Sequence, residues 1–209
     1  MKSSILHIIT KSKIRQRLLL LFVYNPHREY YINEAAKLVK TSAGTAQREL
    51  ERLVDSGILK REKKANLSLF RVDEKYPLYH DIKSIIAKTI GIEHLLHEVL
   101  SKHAKIKFAF LFGSYVKGDL KPDSDIDLYV IGDCSDEEIY RQTKTVAEKI
   151  KREINYHLSN PAEFKKQMAK SFFHKEILDH YLLIVGDKYE FRKFIGTTAK
   201  GRKNKSANN

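Results

Sequence analysis

Gly113-Ser114 and Asp125-Ile126-Asp127 are the residues whose types and spacing could do chemistry, with ten residues between them. Ile106, Phe108, Phe110 and Phe112 alternate as a strand that ends in Gly113-Ser114. Asp125-Ile126-Asp127-Leu128 heads a second strand running to Ile131. Alternate strand residues face the same way, so the two carboxylates project together. Converging carboxylates suit a hard divalent cation such as Mg²⁺. Gly113 lets the backbone approach a phosphate, and Ser114 adds a hydroxyl donor. Cations flanking a phosphorus atom beside such a turn are what transfer of a nucleotidyl group requires.

The neighbouring elements must hold that stretch in place. Ser135-Asp136-Glu137-Glu138 is a capping box opening a helix through Ile150. Glu153 to Leu158 reads as a third strand, Ala162 to Ser171 as a helix capped by Ser159-Asn160-Pro161, and Tyr181 to Gly186 as a buried strand. Phe172 to Leu178 continues helical, and the phenylalanines here read as core rather than a base-stacking platform. Upstream, Pro77 to His103 has the pattern of one long apolar helix, bent at Gly91, that links two domains or pairs two subunits. His94 and His97 have metal-pair spacing on it, but no carboxylate or cysteine cluster accompanies them, so they read as packed or solvated.

Before that helix come three short helices, at 15–23, 32–39 and 43–56, and two strands, at 58–62 and 67–72, joined by a basic turn at 63–66. The third helix, opened by Ser42, carries Thr45, Gln47, Arg48 and Arg52 off its apolar stripe. The hairpin brings Lys60, Arg61, Lys63 and Lys64 to the same neighbourhood. Such side chains meet base edges and phosphates. Ala43-Gly44-Thr45-Ala46-Gln47-Arg48-Glu49-Leu50, with Leu53 and Ser56-Gly57-Ile58-Leu59, resembles prokaryotic winged helix-turn-helix regulators. The resemblance implies double-stranded DNA as partner and a homodimer as the working form.

Charge divides the chain in the same way. Residues 1–80 hold 16 Lys and Arg against 8 Asp and Glu, residues 81–191 hold 17 against 18, and residues 192–209 hold six bases and no acid. A basic first unit and tail attract polyanions, nucleic acid foremost. One cysteine excludes a disulfide framework, and no apolar run approaches the length of a membrane span. A soluble, cytoplasmic protein with no membrane partner is expected. Lys200 to Asn209 is polar without periodicity and expected to be disordered.

Leu111-Phe112-Gly113-Ser114-Tyr115 with Ser124-Asp125-Ile126-Asp127-Leu128 resembles the nucleotidyltransferase superfamily that includes DNA polymerase β, and within it the minimal prokaryotic branch. That resemblance implies that Gly113 and Ser114 bind nucleotide phosphates and that Asp125 and Asp127 hold Mg²⁺ or Mn²⁺. The donor would be a nucleoside triphosphate, ATP by preference. The family's third carboxylate lies between apolar residues on the following strand, where this sequence has Asn155. An amide ligates a cation weakly and cannot take a proton. Glu153 and His157 share its face and are the candidate substitutes.

The expected architecture is α+β: a winged helix-turn-helix at 1–76, a helical linker or dimerisation helix at 77–104, a nucleotidyltransferase fold with a small mixed sheet flanked by helices at 105–191, and a basic disordered tail at 192–209. Three functions are compatible. A DNA-binding regulator could retain a working transferase that modifies an unknown acceptor. A pure regulator could use the transferase fold only to bind nucleotide or a partner. An antitoxin-like protein could nucleotidylate a partner toxin.

Overall fold

The computed structural model describes residues 11–64, 66–119, 121 and 124–196. The segment 200–209, expected to be disordered, lies outside the described residues. Ser12 caps the first helix, α1 (Lys13–Tyr24), by accepting from the Arg15 N–H. Every residue of α1 from Leu18 to Tyr24 is buried. A helix apolar all round must be enclosed all round, and α1 is covered by α3 (Ala43–Asp55) and by α7 (Asp136–Ile150). Between α1 and α3 lie β1 (Tyr30–Tyr31) and α2 (Ile32–Leu38). Glu49 of α3 is buried against α1, where it accepts from Arg15 Nε at 2.7 Å and from Ser12 Oγ at 3.1 Å. Burial pushes its carboxyl up, and those bonds pull it further down, below the ordinary range.

A hairpin follows, β2 (Leu59–Lys64) and β3 (Leu67–Val72), in a three-stranded antiparallel sheet of order β1-β3-β2. The basic turn expected at 63–66 is shorter than its composition implies. The ladder continues to Lys63↔Ser68 and Lys64↔Leu67, making both lysines strand residues. The two-residue β1 is too short to leave an alternating pattern in sequence.

The long helix expected from Pro77 to His103 is two helices, α4 (Tyr79–Thr89) and α5 (Ile92–Leu100). Gly91 separates them because α1 arrives there: a Cβ on Gly91 would collide with the Tyr24 hydroxyl and lie 2.7 Å from Ala87 Cα. The break frees the Ile92 N–H, which donates to Tyr24 Oη at 2.8 Å. Ile92, Leu96 and Leu100 are then buried within the chain itself.

The second sheet has the order β6-β5-β4-β7. It is built from β4 (Ile106–Phe112), β5 (Ile126–Gly132), β6 (Ile154–Ser159) and β7 (Leu182–Val185), with β5 and β6 parallel and the other pairs antiparallel. This is the small mixed sheet flanked by helices that an α+β reading requires. Among the described residues α7 and four further helices serve it: α6 (Gly113–Lys117), α8 (Pro161–Lys170), α9 (Phe172–Glu176) and α10 (Lys188–Gly196). One face, with Leu111, Leu128 and Val130, joins a core cluster that includes α1, α5 and α7 residues and runs from Leu18 to Ile184. The other face stacks Phe108, Phe110 and Tyr129 against Phe164 and Phe191. β7 is an edge strand, and only Ile184 of it is buried. Residues 192–196, assigned by composition to a disordered tail, are the last turns of α10. They are anchored by buried Phe191 and by Phe194 stacking on Phe164 at 5.9 Å. Among the described residues no helix is long and apolar enough to cross a membrane.

Tyr24→Phe should leave the buried Ile92 N–H unpaired and cost on the order of 1–3 kcal/mol. Urea unfolding should show a lower midpoint at unchanged slope; an unchanged midpoint would mean that this bond does not hold α5.

Candidate functional site

Strand register assembles the site. Phe112 pairs with Asp127 across the antiparallel β4–β5 ladder, and Asp127 pairs with Asn155 across the parallel β5–β6 ladder. The chain leaves β4 at Gly113, whose φ of +72° is a left-handed value that a side chain would strain. A Cβ there would also collide with the Asp127 carboxylate. Glycine is therefore required twice over, and the backbone at Gly113-Ser114 lies directly against Asp127. Ser114 is half-buried in α6, and its carbonyl accepts from the Asp119 N–H at 2.9 Å.

Asp127 is half-buried and Asp125, one residue before β5, is exposed. Burial pushes the Asp127 carboxyl above the ordinary carboxylate range. A hydrogen bond from Asn155 and the proximity of His157 pull it back, and the charge of Asp125 adds to the rise. The two aspartates are thus close enough to repel each other, which a divalent cation would relieve. Asn155 is exposed and its amide N–H donates to Asp127. That bond orients the carboxylate and leaves only the neutral amide oxygen for ligation. The donor set fits a hard divalent cation through Asp125 and Asp127. Among the described residues no group of three or more His, Cys, Asp or Glu side chains is arranged to hold a metal ion.

Of the two candidate substitutes for the third carboxylate, Glu153 is exposed and lies just before β6, where its backbone carbonyl accepts from Ile126 N at 3.0 Å. His157 lies within the strand, stacked on Tyr129 with ring centroids 5.7 Å apart and edged by Phe112 and Phe173. His157 acts on Asp127 electrostatically. The phenylalanines read as core are divided: Phe164 is fully buried, whereas Phe172 is 80% exposed.

Two residues that the sequence did not single out hold the site to the rest of the chain. Tyr115, next to Ser114, stacks on Tyr24 of α1 at 6.4 Å and hydrogen-bonds both Tyr24 and Glu93. Arg152 is only 8% exposed. Its guanidinium donates to the carbonyls of Ser124 at 2.9 Å, Tyr24 at 3.0 Å and Lys121. It therefore ties the segment leading into Asp125 to the end of α1. Tyr115 belongs to the motif and its position beside Ser114 was a signal. Arg152 carries none in sequence.

On the N-terminal unit, Ser42 caps α3, and Gln47, Arg48 and Arg52 are exposed along it, with Thr45 half-buried. Several of the basic candidates are paired with the protein's own acids: Arg52 with Glu49 at 3.1 Å, and Lys60 with Asp73, Arg61 with Glu51 and Lys64 with Glu29, each at 2.9 Å. Arg48 hydrogen-bonds Thr45 at 3.4 Å. Among the described residues no ion pair engages Arg48 or Lys63.

Residues 94–188 match the family model described as polymerase beta, nucleotidyltransferase. A putative protein adenylyltransferase of Methanocaldococcus jannaschii is 30% identical over 90 residues, which is 43% of this chain and 89% of that protein. Among solved structures, a toxin-antitoxin with AMP-PNP is 16% identical, covering 51% of this chain and 82% of its own at a TM-score of 0.38. Reduced HlyU from Vibrio cholerae is 17% identical, covering 46% of this chain and 84% of its own at a TM-score of 0.32.

Cation binding needs Asp127 ionised, so Mg²⁺-dependent nucleotide affinity should fall as pH drops, with a midpoint above the ordinary carboxylate value of about 3.9. Asn155→Ala should move that midpoint higher still. Stability without cation has the opposite sign: protonated Asp127 favours the fold, and that contribution is lost as pH rises through its raised pKa. Calorimetric titration across this range checks the first statement, and an affinity flat with pH would contradict it.

Proposed function

We propose, on the premise that this chain belongs to the polymerase beta nucleotidyltransferase family, that it transfers an adenylyl group from ATP to a hydroxyl of a protein acceptor. The observation that carries this reading is the close approach of the Gly113 backbone to Asp127, with Asp125 beside it. The family uses a nucleoside triphosphate donor and a divalent metal. A cation such as Mg²⁺ or Mn²⁺, held by Asp125 and Asp127, would supply charge neutralisation on the triphosphate. Gly113 and Ser114 receive the phosphates, Gly113 by admitting them close to the backbone and Ser114 by its hydroxyl. The acceptor oxygen bonds to the α-phosphorus, the bond from that phosphorus to the β-bridging oxygen breaks, and pyrophosphate leaves with the electron pair. Asn155 cannot take the acceptor proton, which passes to water. The protein acceptor is supported by the description of the Methanocaldococcus jannaschii relative as a putative protein adenylyltransferase.

The N-terminal unit is proposed to be a winged helix-turn-helix that binds double-stranded DNA, with α3 in the major groove and the β2–β3 hairpin on the backbone, and to work as a homodimer. Its three helices and three-stranded sheet in the order α1-β1-α2-α3-β2-β3 support this. Arg48 and Gln47 are the base-reading candidates, and Lys63 is the phosphate contact least occupied by internal pairs. A second reading, a regulator that binds nucleotide without turnover, is favoured by the amide of Asn155 and is decided by the same assay.

Incubation with ATP labelled on the α-phosphate and Mg²⁺, in lysate of the source cells, should label a protein, and Asp125→Ala/Asp127→Ala should abolish that. Nucleotide binding that persists with no label on any acceptor would favour the non-catalytic reading.

For DNA, Arg48→Ala should cost on the order of 1–3 kcal/mol at a cognate site and relax its preference. Lys63→Ala should weaken all duplexes alike and lower the salt slope by about one. Fluorescence anisotropy over a salt series reads both, and two silent variants would remove DNA from the proposal.

A further inference from the structure

Helices α1, α5 and α7 leave between them a cavity of about 610 Å³, at the junction of the N-terminal unit and the four-stranded sheet's helical cover. That volume falls within the roughly 300–1,000 Å³ of small-molecule sites. Its floor is apolar, formed by Leu20 and Leu21 of α1, Leu38, Val39 and Leu95. Its rim carries Arg17, Lys40, Lys149 and Lys151 against one acid, Glu148. Arg17 is held in place by donating to the Val39 carbonyl at 3.1 Å. Among the described residues none of the four cations is engaged in an ion pair, unlike most of the basic residues on α3 and the hairpin.

Backbone geometry singles out the same place independently. Among the described residues, the non-glycine positions with left-handed backbone are Lys40, at φ 56°, and Lys151, at φ 55°. Both line this cavity. Each sits just past a helix, where glycine would adopt that conformation without strain. These are helix-ending positions, Lys151 capping α7 through its N–H on the Ala147 carbonyl and Lys40 following α2, so the helix ends fix where both lysines join the cavity wall.

We infer that this cavity binds a small organic anion with an apolar body, the body lying on the leucine floor and the anionic group between Lys40 and Lys151. A neutral or cationic ligand would leave an excess of three positive charges unanswered on the rim. None of Gly113, Ser114, Asp125 and Asp127 lines the cavity, so the site is separate from the one proposed for transfer. Its position gives it leverage over both ends of the chain. Lys40 lies two residues before Ser42, the cap of α3, and Lys151 precedes Arg152, which holds the Ser124 and Tyr24 carbonyls. A ligand bridging the two lysines therefore fixes the N-terminal unit against the segment that leads into Asp125.

The test is a fluorescence titration of the full chain with 1-anilinonaphthalene-8-sulfonate, an anion with an aromatic body, beside the neutral N-phenyl-1-naphthylamine. The anionic dye should bind saturably and the neutral one about tenfold or more weakly. Lys40→Gly/Lys151→Gly keeps the left-handed backbone on a residue that tolerates it, so this variant should melt no lower than the parent while losing about tenfold in dye affinity. Thr145→Trp, at an exposed position on the rim, should block the dye outright. Naphthoate and naphthyl phosphate compared as competitors then distinguish a carboxylate ligand from a phosphate one. Equal affinity for the two dyes, an unchanged affinity in either variant, or failure of both competitors would overturn the inference.

Discussion

Asp127 faces Phe112 in one ladder and Asn155 in the other, and a slip of one residue in either would turn its carboxylate through the sheet. On the opposite face it would meet Leu111, Leu128 and Val130, all fully buried, where an ionised group has no solvent and no partner. The register is therefore enforced by the alternation of the strand itself: the same pairing that buries the aliphatic residues delivers the carboxylate to the opposite face at the start of β5. Gly113 depends on that register, because its backbone can lie against Asp127 only if β4 ends opposite it. Tyr115 depends on Gly113 in turn, since the short α6 turn points it back toward Tyr24.

A second constraint joins α1 to the four-stranded sheet. The last carbonyls of α1 have no partner within the helix, and Arg152 supplies one to Tyr24 while holding the carbonyls of Ser124 and Lys121. With the Tyr24 hydroxyl on Ile92 and its ring on Tyr115, the end of α1 contacts the segment leading into Asp125, the α4–α5 break and the Gly113-Ser114 turn. A displacement of α1 would be felt at each of these places. Burial raises the Tyr24 and Tyr115 hydroxyls far above their ordinary titration range, and Glu93 beside them is raised as well.

Charge is distributed less simply than its total implies. The N-terminal unit is basic in sequence, yet several cations on α3 and the hairpin are answered by Glu29, Glu49, Glu51 or Asp73. Where both members are exposed, such pairs contribute little stability. They do lower the field that a polyanion meets at a distance. The unanswered positive charge includes Arg48, Lys63 and the rim of the cavity between α1 and α7.

The sequence alone determined the features that local pattern encodes. Strand alternation from Ile106 to Phe112, the Gly-Ser turn, the spaced aspartates and the Ser135 capping box each specify their structure within a few residues, and each element is present. The helices of the N-terminal unit were legible for the same reason, with Ser42 opening α3. The two-residue β1, the full separation of two helices at Gly91 where the sequence showed only a bend, and the helical continuation past Phe191 were not, because each is decided by a distant partner: β3 for Tyr30, Tyr24 for Gly91, and Phe164 with the β4 aromatics for α10. The roles of Arg152 and His157 and the pairing of surface lysines with acids also required tertiary structure. A side chain's composition and neighbours in sequence fix its chemistry. Which group it meets across the fold depends on how strands and helices far apart in the chain are brought together.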